Sequence, residues 1–392
     1  MTRTVDVAIV GGGVVGSSIA YFLKGELGFA GSVLVVEKDP SYAESSTARS
    51  AGGIRQQFSI RENIAMSQFG IEFLRVAPDR LMVDGEKPSF SFVEGGYLFL
   101  ASDEGLAQLR RNHALQTQCG AAIAWLEPEA LRARFPWISA EGVAAACYGL
   151  RNEGWLDPFA LLQAFRRKAR ACGAVYETDS VTGLARVGAG VIEVTLAAGR
   201  TLAAGIVVNA AGPAAGAVAA MLGIRLPVAP RSRSVFVVHC RERVAPCPLT
   251  IDPTGVWFRP EGENFICGVS PPEDEDPEGW RFEVDYALFD DVVWPTLAHR
   301  VPAFEALKRV NAWVGHYDYN ALDQNAILGP HPELRNFYFA NGFSGHGLQQ
   351  SPAVGRAIAE LICHGGYRAL DLSIFAYDRI AAGRPVKELN VV

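Results

Sequence analysis

The segment Gly11-Gly12-Gly13-Val14-Val15-Gly16 is the first whose residue types and spacing could do chemistry. Gly11 permits a tight turn, Gly13 lets backbone come up to a pyrophosphate, and Gly16 lets a helix pack closely on the preceding strand. The unpaired N–H groups at the start of that helix face phosphate charge. Glu37 ends the next apolar run, 21 residues after Gly16. Its carboxylate can accept hydrogen bonds from ribose hydroxyls and would repel a 2′-phosphate, which disfavours NADP.

The residues after Glu37 separate one dinucleotide from another. Beyond Lys38, the stretch Glu44–Arg55 (ESSTARSAGGIR) is a long loop of small residues: Ser45, Ser46, Thr47, Arg49, Ser50, Ala51, Gly52, Gly53 and then Arg55. An NAD-binding chain passes quickly into its next helix. A loop of hydroxyls and glycines suits an extended diphosphate and ribityl chain, which FAD has. Near the other end, Phe339–Gly355 (FANGFSGHGLQQSPAVG) is a second strand–turn–helix, holding one histidine, His346.

The elements that must position these residues are legible. Val5–Val10 reads as a parallel strand buried on both faces, Ser17–Leu27 as a helix and Ser32–Glu37 as a second strand. Helices are predicted over Glu62–Val76, Glu104–Gln118, Pro158–Cys172, Ala214–Leu222 and Gln350–Cys363. Strand patterns occupy Phe90–Ala101, Ala174–Thr178, Val191–Leu196, Ile206–Ala210 and Phe337–Ala340, with a β-rich stretch over Arg231–Gly268. Pro271–Gly279 (PPEDEDPEG) is an acidic surface loop. The α/β pattern recurs in three blocks separated by β-rich insertions. We therefore expect an α/β fold, α+β overall. Its nucleotide domain is built from 1–85, 150–228 and 325–392, and it interleaves with a substrate domain from 86–149 and 229–324.

Composition excludes several classes. The 392 residues are 49% hydrophobic and 20% charged, with net charge −6; no basic cluster is present, so a nucleic-acid partner is not expected. The seven cysteines are scattered with no CxxC pair, which gives neither zinc spacing nor a disulfide framework and implies no metal. Thr201–Ile224 is long and uncharged, but Asn209, Gly212 and Pro213 interrupt it, so it reads as strand, turn and helix rather than a transmembrane span. No targeting segment is evident, and a cytoplasmic location is the expectation.

These motifs resemble the FAD-dependent amine oxidoreductases of the D-amino-acid oxidase, glycine oxidase and sarcosine oxidase family. VAIVGGGVVGSSIAYFL, ESSTARSAGGIRQQFS, VVNAAGPAA, GVWFRPEG and GFSGHGLQQSPAVGRAIAELI carry the resemblance in order along nearly the whole chain. The HYDYNALDQNAILGPHPEL segment is similar to the branch containing FAD-dependent oxidoreductase domain-containing protein 1. The resemblance implies a Rossmann-like FAD-binding domain assembled from separated pieces, and a mixed, mainly antiparallel β-sheet substrate domain with helices. It places Gly342, Phe343, Ser344, Gly345, His346, Gly347, Leu348 and Gln349 at the pyrimidine edge of the flavin. There the start of a helix near Gln350 would stabilise charge on reduced flavin by ~0.3–1 kcal/mol, ~2 if buried. His346 is expected to add a donor or a pH-sensitive charge. Ala210, Ala211 and Gly212 match the family's second strand-end turn on the cofactor. Val181, near the end of a strand, matches the backbone that meets the adenine.

The implied reaction is oxidation of a CH–N bond: a hydride passes to flavin N5 and leaves an imine that water hydrolyses. Arg55 falls where relatives grip a substrate carboxylate, and Tyr317 and Tyr319 fall on the strand lining their site. Tyr97 and Trp257 are expected aromatic walls. The chain lacks the carboxylate-binding arginine that primary D-amino-acid enzymes carry near Tyr317. It also lacks a flavin-linking cysteine near Gly315 and a linking histidine near Arg49, so non-covalent FAD is expected. A lysine contact is lost at Gln349. The lysine that promotes reaction with oxygen in those relatives aligns near Ile266, an apolar residue, which favours a dehydrogenase or slow oxidase. The expected substrate is a small secondary or tertiary amine or N-substituted amino acid of the sarcosine, dimethylglycine or proline type. Electrons then go to O2 or to a protein or quinone carrier, and relatives act alone or with a partner subunit. Two alternatives stand beside this: an aromatic-ring flavin monooxygenase, and an FAD-bearing assembly or scaffold protein without amine turnover.

Overall fold

The computed structural model describes residues 3–188 and 190–389. The first apolar run forms the strand Arg3–Val10, where Val7, Ala8 and Ile9 are fully buried, as a parallel strand covered on both faces requires. It pairs in parallel with Val33–Glu37 on one side and Thr201–Asn209 on the other. Thr201–Asn209 in turn takes Phe337–Asn341 in parallel, with Asn209 opposite Phe339. The path across this sheet runs Ile327–Pro330, Phe337–Asn341, Thr201–Asn209, Arg3–Val10, Val33–Glu37, Val175–Thr178, and the hairpin Val181–Val187 with Val191–Leu196 joins it at Thr201–Asn209. Successive strands thus leave Arg3–Val10 in both directions. The crevice beyond the carboxyl ends of such strands is where an open α/β sheet receives a ligand.

Two helices from opposite ends of the chain cover one face of this sheet. Val14–Tyr21 and Gly347–His364 lie so close that the Ser18 hydroxyl donates to the Ser351 carbonyl at 2.8 Å. A Cβ on Gly355 would fall on the Ser18 side chain, so this crossing tolerates only glycine there.

The second sheet also has eight strands, in the order Lys308–Asn320, Val228–His239, Asn264–Gly268, Trp257–Glu261, Leu249–Ile251, Tyr97–Ala101, Ala145–Gly149, Ile123–Leu126. All pairs are antiparallel except Leu249–Ile251 with Tyr97–Ala101. Phe236, Phe258 and Phe304 fill the core on one side of it. The fold class expected from the sequence is what the structure has.

Several element boundaries differ from expectation for identifiable reasons. The first helix begins at Val14 and gives way after Tyr21 to a wider π turn, Phe22–Glu26. Only Tyr97–Ala101 of the predicted Phe90–Ala101 strand is ladder-paired. The helix predicted from Gln350 starts at Gly347, because Gly345, at φ +100, turns the chain back sooner. Val181 opens a strand rather than ending one.

Candidate functional site

An elongated cleft of about 2190 Å³, its open mouth included, runs between the two sheets. The first sheet lines it with Gly11, Gly13, Val14, Val15, Glu37, Lys38, Val181, Ala210, Ala211 and Gly212. The small-residue loop adds Ser45, Ser46, Thr47, Arg49, Ser50, Ala51, Gly53 and Arg55. The second sheet and the late turn add Tyr97, Trp257, Tyr317, Phe343, Gly345, His346, Gly347, Leu348 and Gln349. Residues more than 300 positions apart therefore share one wall.

Five predicted site residues do not line the cleft. Gly16 and Gly52 are pressed against the Gly11 and Leu156 carbonyls, where a Cβ would collide; they shape the backbone. Gly342 packs among Val228, Asn320 and Ile327. Ser344 is fully buried, its hydroxyl accepting from the Asn320 N–H at 3.0 Å. Tyr319 is buried beneath the Arg231 guanidinium, 5.2 Å from its ring centroid, and belongs to the packing behind the site.

The glycine loop is built as an anion cradle. Gly11 has φ +99, and a Cβ there would strike the Ala210 carbonyl. No side chain caps the helix at Val14, and its first turn holds no acid, so its N–H dipoles are aimed at the cleft without a resident anion. Only the Thr47 hydroxyl approaches, accepting from the Val14 N–H at 3.2 Å. Glu37 is fixed by the N–H groups of Gly12 (2.8 Å) and Asp39 (2.9 Å). The loop is pinned to the second sheet: Arg259 donates twice to the Ala51 carbonyl, at 2.9 and 2.7 Å, and Ser46 Oγ donates to the His316 carbonyl. Arg49 spends its guanidinium on the Ala43 and Val314 carbonyls; it ties the loop down.

Arg55 is the electrostatic centre of the inner end. It is buried, with its guanidinium carbon 4.3 Å from the Phe58 ring centroid. One Nη donates to the Gln57 carbonyl at 2.8 Å, and the other lies 2.9 Å from His346 Nε2. Its backbone N–H donates to Gln349 Oε1 at 2.8 Å, so Gln349 orients the arginine. Burial lowers the Arg55 pKa, while Tyr97, Glu388, Glu153 and Tyr317 oppose that shift; a guanidinium nonetheless keeps its proton in proteins.

The pH-sensitive charge expected at His346 is not there. Burial, and then the Arg55 cation, hold the imidazole well below its ordinary pKa. Since Arg55 has only donors, Nε2 must accept, and the ring proton resides on Nδ1. Ile266 is also displaced from its expected role: it is buried in the second sheet and does not line the cleft, so it carries no argument about oxygen.

Three polar groups here are not among those the motifs single out. Glu153 is fully buried, its carboxylate accepting from the Gln56 N–H (2.6 Å) and Gln57 Nε2 (2.9 Å). Burial pushes its carboxyl up to about 7, against those bonds and Arg55. Nothing in Arg151-Asn152-Glu153-Gly154 marks it. Arg233 lines the cleft and makes a bidentate pair with Asp276 (2.9 and 2.8 Å). Asp318 lines the cleft beneath the late turn; an acid between two tyrosines inside a strand pattern was its available signal.

Glu153 has a measurable consequence. Its folded pKa lies above the ordinary 4.5, so the folded chain holds this proton more tightly than the unfolded one. The stabilisation is complete below about pH 4.5 and is lost as pH rises through about 7. Glu153→Gln should therefore remove a fall of roughly 2–3 kcal/mol in unfolding free energy between pH 5 and pH 8. Denaturant melts of both proteins at the two pH values test this; an unchanged pH difference would assign the fall to other groups.

Comparison with known proteins gives a consistent result. The FAD dependent oxidoreductase family profile matches residues 6–361. FAD-dependent oxidoreductase domain-containing protein 1 of Xenopus laevis is 46% identical, covering 99% of this chain and 85% of its own. Glycine oxidase of Geobacillus kaustophilus is 29% identical, covering 97% of this chain and 98% of its own. Among solved structures, L-proline dehydrogenase from P. horikoshii superposes with a TM-score of 0.86 at 28% identity, over 98% of this chain and all of that one.

Proposed function

The chain belongs to the FAD-dependent oxidoreductase family, and from that premise we propose that it oxidises the CH–N bond of a small N-substituted amino acid. Its cofactor is FAD, and the residues present fit it. Gly11 and Gly16 are sterically obligatory at an uncapped helix start suited to the diphosphate, and Glu37 stands ready for ribose hydroxyls. Bound FAD supplies the acceptor for a hydride leaving the substrate carbon. No cysteine lines the cleft among the described residues, which supports non-covalent binding.

The observation that carries the proposal is the buried Arg55 at the inner end of a cleft walled by Tyr97, Trp257 and Tyr317. A guanidinium fork matches a carboxylate, and the aromatic walls exclude water around an N-alkyl group. Neutral His346 holds the guanidinium without adding a competing charge. The uncapped start of the Gly347–His364 helix offers N–H dipoles to negative charge developing nearby. The C–H hydrogen leaves with both bonding electrons, the nitrogen lone pair forms the C=N bond, and water then adds to release a carbonyl compound and an amine. Two of the relatives, L-proline dehydrogenase and glycine oxidase, carry the names of enzymes that oxidise amino acids.

An anaerobic screen tests the reading. The FAD-loaded protein is mixed with N-methyl amino acids, proline derivatives and D-amino acids, and bleaching of the flavin band is monitored. Bleaching by an N-substituted amino acid is expected. Bleaching by NADPH alone would favour a monooxygenase instead. Flavin inert to every amine and acceptor, in a protein that retains a stable partner, would favour a scaffold. In air, rapid peroxide formation would identify an oxidase, and its absence a dehydrogenase using another carrier.

A further inference from the structure

The late turn rests on a carboxylate for which the proposed reaction has no use. Asp318, on the strand Lys308–Asn320, is 8% exposed and lines the cleft. Its Oδ2 accepts from the Phe343 N–H at 3.0 Å, and its backbone carbonyl accepts from the Ser344 N–H at 3.2 Å. The turn it grips is unusual: Gly342, Ser344 and Gly345 have φ of 75, 50 and 100°, and a serine in the left-handed region is sparsely populated. Burial raises the Asp318 carboxyl to about 6, opposed by backbone N–H groups of Phe343, Gly342 and Ser344.

The surrounding charges are few. Strand alternation turns Tyr317 and Tyr319 to the opposite face, where Arg233 and Arg231 of the paired strand Val228–His239 lie over their rings. His316 shares the Asp318 face; its Nε2 accepts from the Arg281 N–H and its pKa is lowered by burial. From the turn and helix comes His346, held neutral with Arg55 behind it. Burial and backbone dipoles, not a side-chain cation, are the leading influences on this carboxyl.

We propose that Asp318 is a positioning residue that governs the reduction potential of the bound flavin, opposing negative charge that arrives there and taking up a proton when it does. The inference rests on the reading that the late turn faces the electron-accepting end of FAD. Bound FAD would take up two electrons and one proton at neutral pH, which would add one net negative charge beside the late turn. A second proton passes from solvent to the Asp318 carboxylate, and no bond to carbon breaks in that step. Each proton taken up with two electrons changes the reduction equilibrium tenfold per pH unit, or about 30 mV.

The test is the midpoint potential of the holoprotein against pH, measured by dye equilibration. The wild-type line should steepen by one proton above about pH 6. Asp318→Asn keeps an acceptor for the Phe343 N–H and removes the charge. It should lack the extra slope and be at least tenfold easier to reduce at pH 8. Ser344→Ala disturbs the turn without touching charge and should keep the wild-type slope. Parallel lines for wild type and Asp318→Asn would overturn the proposal. So would a folded Asp318→Asn that loses flavin, which would make the residue a clamp only, or a Ser344→Ala that reproduces its effect. Should the Asn variant not fold, a wild-type line of single slope from pH 5 to pH 9 overturns it alone. A wild-type protein that never binds flavin would instead remove the FAD reading.

Discussion

Gly16→Ala is expected to yield a folded protein that purifies without colour. One added methyl lands on the Gly11 carbonyl oxygen and within 3.1 Å of the Gly11 carbon and 3.3 Å of Ile9 Cγ2. The first two are backbone, so relief requires the helix start or the glycine turn to move. Overpacking of this kind costs about 1–3 kcal/mol of stability, which a chain with this much buried core survives. FAD binding does not, because the N–H groups at Val14 must stay aligned with the diphosphate. Affinity should fall at least ~100-fold, about 2.7 kcal/mol, measured by titrating FAD into apoprotein and monitoring flavin fluorescence quenching. Gly366→Ala, where a Cβ meets nothing within 4 Å, is the control and should stay yellow. Wild-type affinity in Gly16→Ala would mean that the loop does not hold the diphosphate.

Arg55→Met carries the second large effect, and it separates binding of FAD from binding of substrate. The variant should keep its flavin spectrum. Removing one member of a buried, hydrogen-bonded charge pair costs about 2–5 kcal/mol. Turnover of an amino-acid substrate, as kcat/KM, should therefore drop by roughly 30-fold to several thousand-fold. The same amine without its carboxylate should be affected little, since nothing on it addresses the guanidinium. Glu153 also loses the cation that lowers its pKa, so it should titrate above about 7, and the fall in melting temperature from pH 6 to pH 8 should be larger in the variant than in the wild type. Equal losses on both substrates would move Arg55 from carboxylate recognition to general scaffolding.

The parts of the site legible in the sequence were those enforced by local backbone requirements. Gly11 and Gly16 are readable because only glycine satisfies their geometry, and the acid ending the next strand comes at a fixed distance. The separated strand–turn–helix at Phe339–Gly355 was readable for the same reason. Residues whose roles come from packing were not. Glu153 sits in an unremarkable turn and becomes important because Gln56, Gln57 and Arg55 converge on it. Tyr317 and Tyr319 share one face of a strand, and only the three-dimensional path of the cleft decides that the first lines it and the second does not. His346 reads in the sequence as a donor or a pH-sensitive charge, and burial, with the guanidinium 2.9 Å away, removes the second of these.

The parallel pairing of Phe337–Asn341 with Thr201–Asn209 has a bearing on biosynthesis. A ribosome adding ~5–20 residues per second exposes Thr201–Asn209 roughly 6–30 s before its partner leaves the exit tunnel. Throughout that interval the nascent chain carries an apolar strand with an unmatched edge, the situation most prone to intermolecular pairing. The flavin cradle cannot close until Phe337–Asn341 and the turn after it have been made, so cofactor loading in the cell follows synthesis of that late segment, and the waiting polypeptide is a natural client for chaperones.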